Sequence, residues 1–244
     1  MNDALSQARE DLAAAFQLAA HFGLHEGICN HFSYAVPGED DRFLLNPYGL
    51  HWSEITAGDL LILDGEGKVL EGEGPVDITA LCIHAPIHRK NPRARCVFHT
   101  HMPYATALTS LEEGTLEPVS QNNLRFYGDV AYDETYNGLA LDSSEGDRLA
   151  EILGDKRILF MANHGVVVVG ETIPGAFSDL YFLERVCQLQ VLAMSTGKPL
   201  KRVSANMAAH TRAGFRRNDT ASHGQDHFAA LKRLLDAEDP SYAH

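Results

Sequence analysis

The chain has few cysteines, and they are not arranged as a metal or redox motif. Cys29, Cys82, Cys96 and Cys187 are the only four among 244 residues, and no two have the C-x-x-C spacing. Three of them fall in apolar surroundings. This usage favours reduced, mostly buried thiols in a cytosolic protein over a disulfide framework or a cysteine-bound zinc.

Long hydrophobic runs are also missing. No apolar segment approaches the roughly 20 residues needed to span a bilayer. The first residues, MNDALSQARED, have neither the basic nor the apolar region of a secretory signal. The sequence therefore predicts a cytoplasmic protein without a membrane partner.

Positive charge is scarce relative to negative charge. Lysine and arginine total 20 against 33 aspartates and glutamates, which gives a formal net charge of -13 with the 13 histidines counted as neutral. Such a surface repels the phosphates of nucleic acids and anionic lipids. We expect neither as a partner.

Glycine-rich phosphate-binding motifs are absent in their functional form. Gly-x-Gly occurs at 65–67 and 72–74, but no helix follows at the required distance and no P-loop lysine is present. A nucleotide-binding parallel sheet is not predicted.

Predicted helices and strands alternate along the chain. Hydrophobic spacing and turn residues predict helices at 4–22, 78–89, 104–110, 143–153, 174–194 and near 228–235. They predict strands at 42–46, 60–64, 68–71, 94–101, 130–132, 157–162 and 166–169. With hairpin turns between some strands, this order indicates an α/β fold around a mixed sheet. We expect one domain over 1–244, with a helical extension over about 200–244.

The strongest chemical signal is the segment Phe98-His99-Thr100-His101 at the end of a predicted strand. Side chains alternate along a strand, so His99 and His101 point to the same face. Two imidazoles roughly 7 Å apart can converge on an ion at about 2.0–2.1 Å from each nitrogen. His164 follows another apolar strand and precedes Gly165, which permits a sharp turn.

Three histidine ligands would leave a coordination position open, as in catalytic metal sites. A histidine at a strand end is also commonly a hydrogen-bonded surface residue. The spacing alone leaves both interpretations open.

Several stretches, taken in order, resemble the class II aldolase/adducin family over roughly residues 8–200. They are EGICNHFS at 26–33, FLLNPYG at 43–49, IHAPIH at 83–88, VFHTH at 97–101, FYG at 126–128 and NHG at 163–165. The pattern is closer to the adducin-like bacterial branch of the family.

The resemblance implies a three-layer αβα fold with a central mixed, largely antiparallel sheet. It implies homotetramers with active sites between subunits and a small-molecule substrate. It also implies one divalent metal ion, usually zinc with iron or manganese as alternatives, held by His99, His101 and His164.

The sequence departs from the sugar-phosphate aldolases at their catalytic glutamate, nineteen residues before the first metal histidine. Here that place is Ala80, whose methyl group cannot exchange a proton. The phosphate-binding pairs are also altered, since the matching places read Asn30-His31, Tyr48-Gly49 and Ile78-Thr79. We therefore expect a non-phosphorylated substrate and a different acid or base.

The acid or base must then come from another side chain. His84 lies one helical turn from Ala80 and shares its face, and His31 replaces a phosphate-site asparagine. Tyr127 is a third candidate, from a neighbouring subunit. The competing interpretations are a packed core histidine for His84 and a half-buried core tyrosine for Tyr127.

Four further residues are predicted to contact substrate. Arg125 could bind a carboxylate through two hydrogen bonds, although a surface salt bridge is an equal alternative. The other three are Asn30, Tyr48 and Gly49.

The predicted function is a metal-dependent lyase, of aldolase or decarboxylase type, for a small non-phosphorylated oxo- or hydroxy-acid. Two alternatives stay open. Three neutral histidines also suit a non-haem iron oxygenase. The missing glutamate is compatible with a non-catalytic binding module, as in adducin.

Overall fold

The computed structural model describes residues 2–39, 41–218 and 222–244. The helices of this part of the chain are α1 (Asn2–His21), α2 (Ile78–Lys90), α3 (Pro103–Thr109), α4 (Ser143–Leu153), α5 (Ile173–Met194), α6 (Ala205–Asn218) and α7 (Ser222–Glu238). The strands are β1 (His31–Ala35), β2 (Arg42–Leu45), β3 (Leu61–Asp64), β4 (Val69–Glu71), β5 (Cys96–Thr100), β6 (Val130–Asp133), β7 (Ile158–Met161) and β8 (Gly165–Gly170).

The strands form one sheet in the order β4-β3-β2-β1-β5-β8-β7-β6. Every neighbouring pair is antiparallel except β6 and β7, which are parallel. Helices cover both faces, so the predicted three-layer α/β architecture with a mixed, largely antiparallel sheet is confirmed.

Strand alternation sends side chains to the two faces of the sheet, where they pack into separate cores. Phe32 and Phe98 pack towards α1, α3, α5 and α7, with their rings stacked 4.1 Å apart. Val97 and Val167 point to the other face and pack with α2 and α4. His31, His99 and His101 belong to this second face, at one end of the strands.

Helix ends near that edge of the sheet are fixed by side-chain caps. The Asp77 carboxylate accepts a hydrogen bond from the Thr79 amide at the start of α2. Glu184, on α5, accepts from the amides of Tyr104 and Ala105 at 2.8 and 2.9 Å. Because α3 begins at Pro103, two residues after His101, this carboxylate anchors the chain close to a predicted ligand.

Three elements differ from the sequence prediction. The α6 helix lies in the predicted helical extension, but its bounds were not predicted, because its sequence ANMAAHTRAGFRRN has too few apolar residues for a clear stripe. The stretch 23–33 predicts a loop entering a strand without giving the bounds of β1, and α7 is longer than the predicted segment. Phe228 of α7 is buried against Phe177 of α5, with ring centroids 5.6 Å apart. Among the described residues, no helix is long and apolar enough to cross a membrane.

Candidate metal centre

The sheet register brings the three predicted histidines to one place. Thr100 of β5 lies opposite Val166 of β8, and Met161 of β7 lies opposite Gly165. The ends of β5 and β7 therefore flank the start of β8, and the ring of His164 in the turn after β7 lies 4.8 and 5.0 Å from those of His99 and His101. One nitrogen from each of these imidazoles lies within 4.8 Å of the others.

Hydrogen bonds fix the tautomers of two of these rings in the form that a metal requires. The Nδ1 atom of His99 donates to the Val166 carbonyl at 3.0 Å, and Nδ1 of His101 bonds Oε2 of Glu26 at 2.6 Å. Their Nε2 lone pairs are left free. Nε2 of His101 is buried with no partner among the described residues. The arrangement fits a divalent ion whose ligands are oriented by a carboxylate and a carbonyl.

Burial keeps His99 and His164 neutral. It lowers the pKa of His99 well below its usual value. Burial, followed by the nearby His101, lowers the pKa of His164 to about 4. Metal ligands must be deprotonated, so these imidazoles are ready to bind at neutral pH.

The turn after β7 depends on the residues of the NHG motif. Asn163 has a left-handed backbone with φ of 53°. A Cβ at Gly165 would lie 2.6 Å from the Thr100 carbonyl oxygen and 2.7 Å from Cδ2 of His101. Glycine is required there because the ligand ring packs directly on the backbone.

Asn30 joins the site from the chain before β1. Its backbone is left-handed, with φ of 76°, and its Oδ1 accepts from the His101 amide at 3.2 Å. The side-chain Nδ2 is buried with no partner among the described residues. This amide is an available donor for a bound oxygen atom.

The triad opens into a cavity of about 640 Å³. Polar groups of Asn30, His31 and Thr79 line one part of it, and Tyr136 and Leu139 line another. No lysine or arginine is among its lining residues in the described part of the chain. A phosphate group would therefore find no cationic side chain in this cavity.

Behind the cavity wall lies a line of hydrogen-bonded side chains that we call the histidine relay: His31, His84, Ser33 and His88. Nδ1 of His31 is 2.7 Å from Nε2 of His84, whose Nδ1 is 2.5 Å from the Ser33 hydroxyl. That hydroxyl is 2.7 Å from Nε2 of His88. His31 lies directly across from His99 in the β1–β5 pairing, with ring centroids 4.9 Å apart.

The structure places His84, a predicted acid or base, behind the cavity wall and not among its lining residues. The ring is fully buried, and both nitrogens are occupied by His31 and Ser33. It cannot touch a ligand in the cavity. Ala80 is also buried, in a small apolar core with Phe43 and Leu45, so no proton-transfer group stands at the position of the aldolase glutamate.

Arg125 and Tyr127 lie far from the triad within one chain. They precede β6, whereas His164 lies at the other end of the parallel strand β7, and each strand residue adds about 3.3 Å. The Arg125 guanidinium stacks on Phe182 at 4.0 Å and borders a different cavity. The single chain therefore does not bring either residue to the metal site.

Tyr48 and Gly49 lie beyond β2, at the same end of the sheet as the triad. Tyr48 is 45% exposed, and its amide donates to the Pro75 carbonyl. Neither residue lines the cavity of this chain.

Several site residues were missed by the sequence reasoning. Glu26, Ser33 and His88 all lie in the stretches that resemble the family, which was the available signal. Their roles depend on the β1–β5 register and on the packing of α2, and neither can be read from spacing.

Comparison with known proteins agrees with this geometry. The class II aldolase and adducin N-terminal domain model matches residues 10–191. The chain belongs to the class II aldolase and adducin family. A provisionally named aldolase class 2 protein of Pseudomonas aeruginosa is 37% identical over 241 residues, covering 97% of this chain and 92% of the relative.

Two further proteins that resemble this chain are informative. The decarboxylase NovR of Streptomyces niveus is 32% identical over 235 residues, covering 95% of this chain and 84% of that protein. An aldolase II superfamily protein from Pseudomonas syringae, of known crystal structure, aligns with a TM-score of 0.90 at 33% identity, covering 99% and 96% of the two chains.

Removing the carboxylate behind His101 is expected to weaken metal binding. In Glu26→Ala, Nδ1 of His101 loses its 2.6 Å acceptor, and such losses cost about 10–100-fold in metal affinity. Because Glu26 is exposed, we expect metal affinity to fall by about 10-fold, the lower end of that range. Competition with a chromophoric chelator measures this affinity. Glu66→Ala, at an exposed position outside the cavity, is the control, and equal affinities in both variants would contradict the role of Glu26.

The buried histidines are expected to make the metal-free protein acid-sensitive. Burial lowers the pKa of His88 to about 4, against 6.5 for an ordinary histidine. Between these values the unfolded chain binds a proton and the folded chain does not, so the free energy of unfolding falls as pH falls. The contribution of His88 is about 3 kcal/mol at most. Urea unfolding at about pH 7.5 and about pH 5 measures how far the free energy of unfolding falls between these pH values. A fall of the same size in His88→Phe would contradict the contribution of His88.

Proposed function

We propose that the chain is a metal-dependent lyase acting on a small, non-phosphorylated 2-oxo or 2-hydroxy acid. The observation that carries the proposal is the convergence of the three imidazoles, with two Nε2 lone pairs directed by hydrogen bonds from Nδ1. We propose zinc as the ion, held by His99, His101 and His164. A binding module without catalysis would have no need for ligands oriented in this way.

The proposed substrate class follows from the cavity lining. The chain itself offers no lysine or arginine to a phosphate dianion, whereas a single arginine, Arg125 of a neighbouring subunit, would suit the one negative charge of a carboxylate. A carboxylate with an adjacent oxygen suits an ion that has three protein ligands and an open position. The relative named as a decarboxylase supports cleavage of a carbon–carbon bond as the reaction class.

The protein side chains would bind the substrate and move its proton. A divalent ion supplies a Lewis acid for negative charge that develops on a substrate oxygen, an effect worth several kcal/mol. The free Nδ2 of Asn30 would donate to a second substrate oxygen. His31 would exchange the proton of the substrate hydroxyl, since it is the relay member that lines the cavity.

His31 is held neutral by its surroundings. Burial lowers its pKa to about 3, and the Asp77 carboxylate offsets this only in part. Asp77 also accepts the Thr79 hydroxyl at 2.8 Å. The Asp77 carboxylate would stabilise a transient positive charge on His31.

We further propose that Tyr127 and Arg125 complete the site from a neighbouring subunit of a homotetramer. Exposed apolar side chains beside the cavity support an interface there, with Tyr136 at 50% and Leu139 at 71% exposure. Light scattering measures the molar mass in solution. A monomer would show that neither Tyr127 nor Arg125 of a second subunit can reach the site.

The experiment is a panel of 2-oxo and 2-hydroxy acids assayed for release of carbon dioxide or a carbonyl product. The enzyme is treated with a chelator and then reloaded with zinc. We expect turnover to disappear with the chelator and to return with zinc. Turnover that continues after metal removal would contradict the proposal. Oxygen consumption supported by iron(II) but not by zinc would indicate an oxygenase instead of a lyase.

A further inference from the structure

We propose that Ser33, His84 and His88 are positioning residues that hold His31 in its Nδ1–H tautomer, so that its Nε2 faces the cavity as a hydrogen-bond acceptor. The direction of the relay is set at its far end by the Ala94 backbone carbonyl. A role for this acceptor in catalysis rests on the proposed function, whereas the assignment of the His31 tautomer does not.

The Ala94 carbonyl can only accept a hydrogen bond. It lies 2.7 Å from Nδ1 of His88, so that nitrogen carries the proton. Burial and the neighbouring Arg95 keep the pKa of His88 low, although its bond to Ala94 opposes this. The ring is therefore neutral, and its Nε2 carries a lone pair that must accept.

Ser33 transmits the direction because its hydroxyl has a single proton. That proton goes to Nε2 of His88 at 2.7 Å, so the Ser33 oxygen must accept from Nδ1 of His84 at 2.5 Å. A neutral His84 with its proton on Nδ1 has a lone pair on Nε2. Nδ1 of His31, 2.7 Å away, must then be the donor.

The reverse direction would place two lone pairs against each other. If Nε2 of His84 donated to His31, the Ser33 proton would turn to His84 and leave His88 facing the serine oxygen with no proton between them. Ser33 and His84 are fully buried, so water cannot relieve that contact.

One contact competes with this assignment. Nε2 of His31 lies 3.5 Å from the Thr79 hydroxyl, whose own proton goes to Asp77. A proton on Nε2 could reach Thr79 only over that long distance, where hydrogen bonds are weak. Three relay bonds of 2.5 to 2.7 Å outweigh it.

The consequence concerns the ligand that the cavity selects. Its wall offers an acceptor at Nε2 of His31 and a donor at Nδ2 of Asn30. This pair matches a ligand with a hydroxyl group next to a carbonyl or carboxylate oxygen. Of the two acid classes in the proposed function, it favours the 2-hydroxy acid.

The test is direct observation of the tautomer by NMR in the metal-free, ligand-free protein. Ring-15N-labelled histidine reports which nitrogen carries the proton, and His31→Gln assigns the His31 signals. We expect His31 with its proton on Nδ1 in the wild type. A proton on Nε2 would overturn the inference without affecting the proposed metal-dependent activity, which is measured separately.

Two variants test the relay itself. In His88→Phe the acceptor is lost and the ring stacked on Phe43 is retained, so the Ser33 proton turns to His84 and His31 is expected to switch to Nε2–H. In Ser33→Ala the bias is lost, and both His31 tautomers are expected. Thr79→Val is the matched control and should leave the tautomer unchanged. A His31 tautomer unchanged in both relay variants would overturn the inference, and thermal melting establishes that each variant is folded.

Discussion

Replacement of His164 by alanine is expected to lower kcat/KM by about 1,000-fold and to prevent stable metal binding. The change removes one of three ligands and leaves two imidazoles on one strand. Loss of a group that stabilises transition-state charge typically costs about 3–4 kcal/mol, which corresponds to roughly 10²–10³-fold. Because His164 lies in a turn and is only partly buried, the fold should survive.

Metal content and activity of His164→Ala are compared with those of His51→Ala. His51 is also a partly buried histidine, hydrogen-bonded to His25, but it lies outside the triad. We expect full metal content in the control and little in His164→Ala after dialysis. A stoichiometric, tightly held ion in His164→Ala would show that the three histidines are not the ligand set.

The spacing rules that predicted the triad concern single elements. Alternation along β5 places His99 and His101 on one face whatever the rest of the chain does. Placing His164 beside them required the strand order as well, since its position depends on β8 lying between β5 and β7. The resemblance to the class II aldolase and adducin family supplied that step, and the sheet register explains it.

Residues that act through contacts between elements could not be predicted in this way. Ser33 and His88 are 55 positions apart, and their hydrogen bond exists only because α2 packs over β1. His84 was predicted on the correct helix face, but the same packing buries it behind His31. Arg125 precedes β6 at the end remote from the triad, a fact that follows from the parallel β6–β7 pairing and not from local sequence.

The other large effect is expected from the smallest side-chain change, Gly165→Ala. The new methyl group would sit 2.6 Å from the Thr100 carbonyl oxygen and 2.7 Å from Cδ2 of His101. The carbonyl belongs to a central strand and cannot move cheaply, so the His101 ring or the turn must shift. Overpacking of this kind costs about 1–3 kcal/mol of stability, and a displacement of about 1 Å at a reacting centre can cost about 100-fold in rate.

Gly214→Ala is the matched control for this variant. Gly214 lies in α6 with no atom within 4 Å of its added Cβ, so alanine should stabilise the helix by about 0.5–1 kcal/mol. Urea unfolding, metal titration and turnover separate the two effects of Gly165→Ala. If the variant lost stability but kept wild-type metal affinity and rate, the turn would have shifted while the His101 ring stayed in place. The position of that ring would then not require glycine at residue 165. If stability, metal affinity and rate all fell together, the close packing of His101 on the backbone of Gly165 would be what holds His101 and His164 in position for one ion.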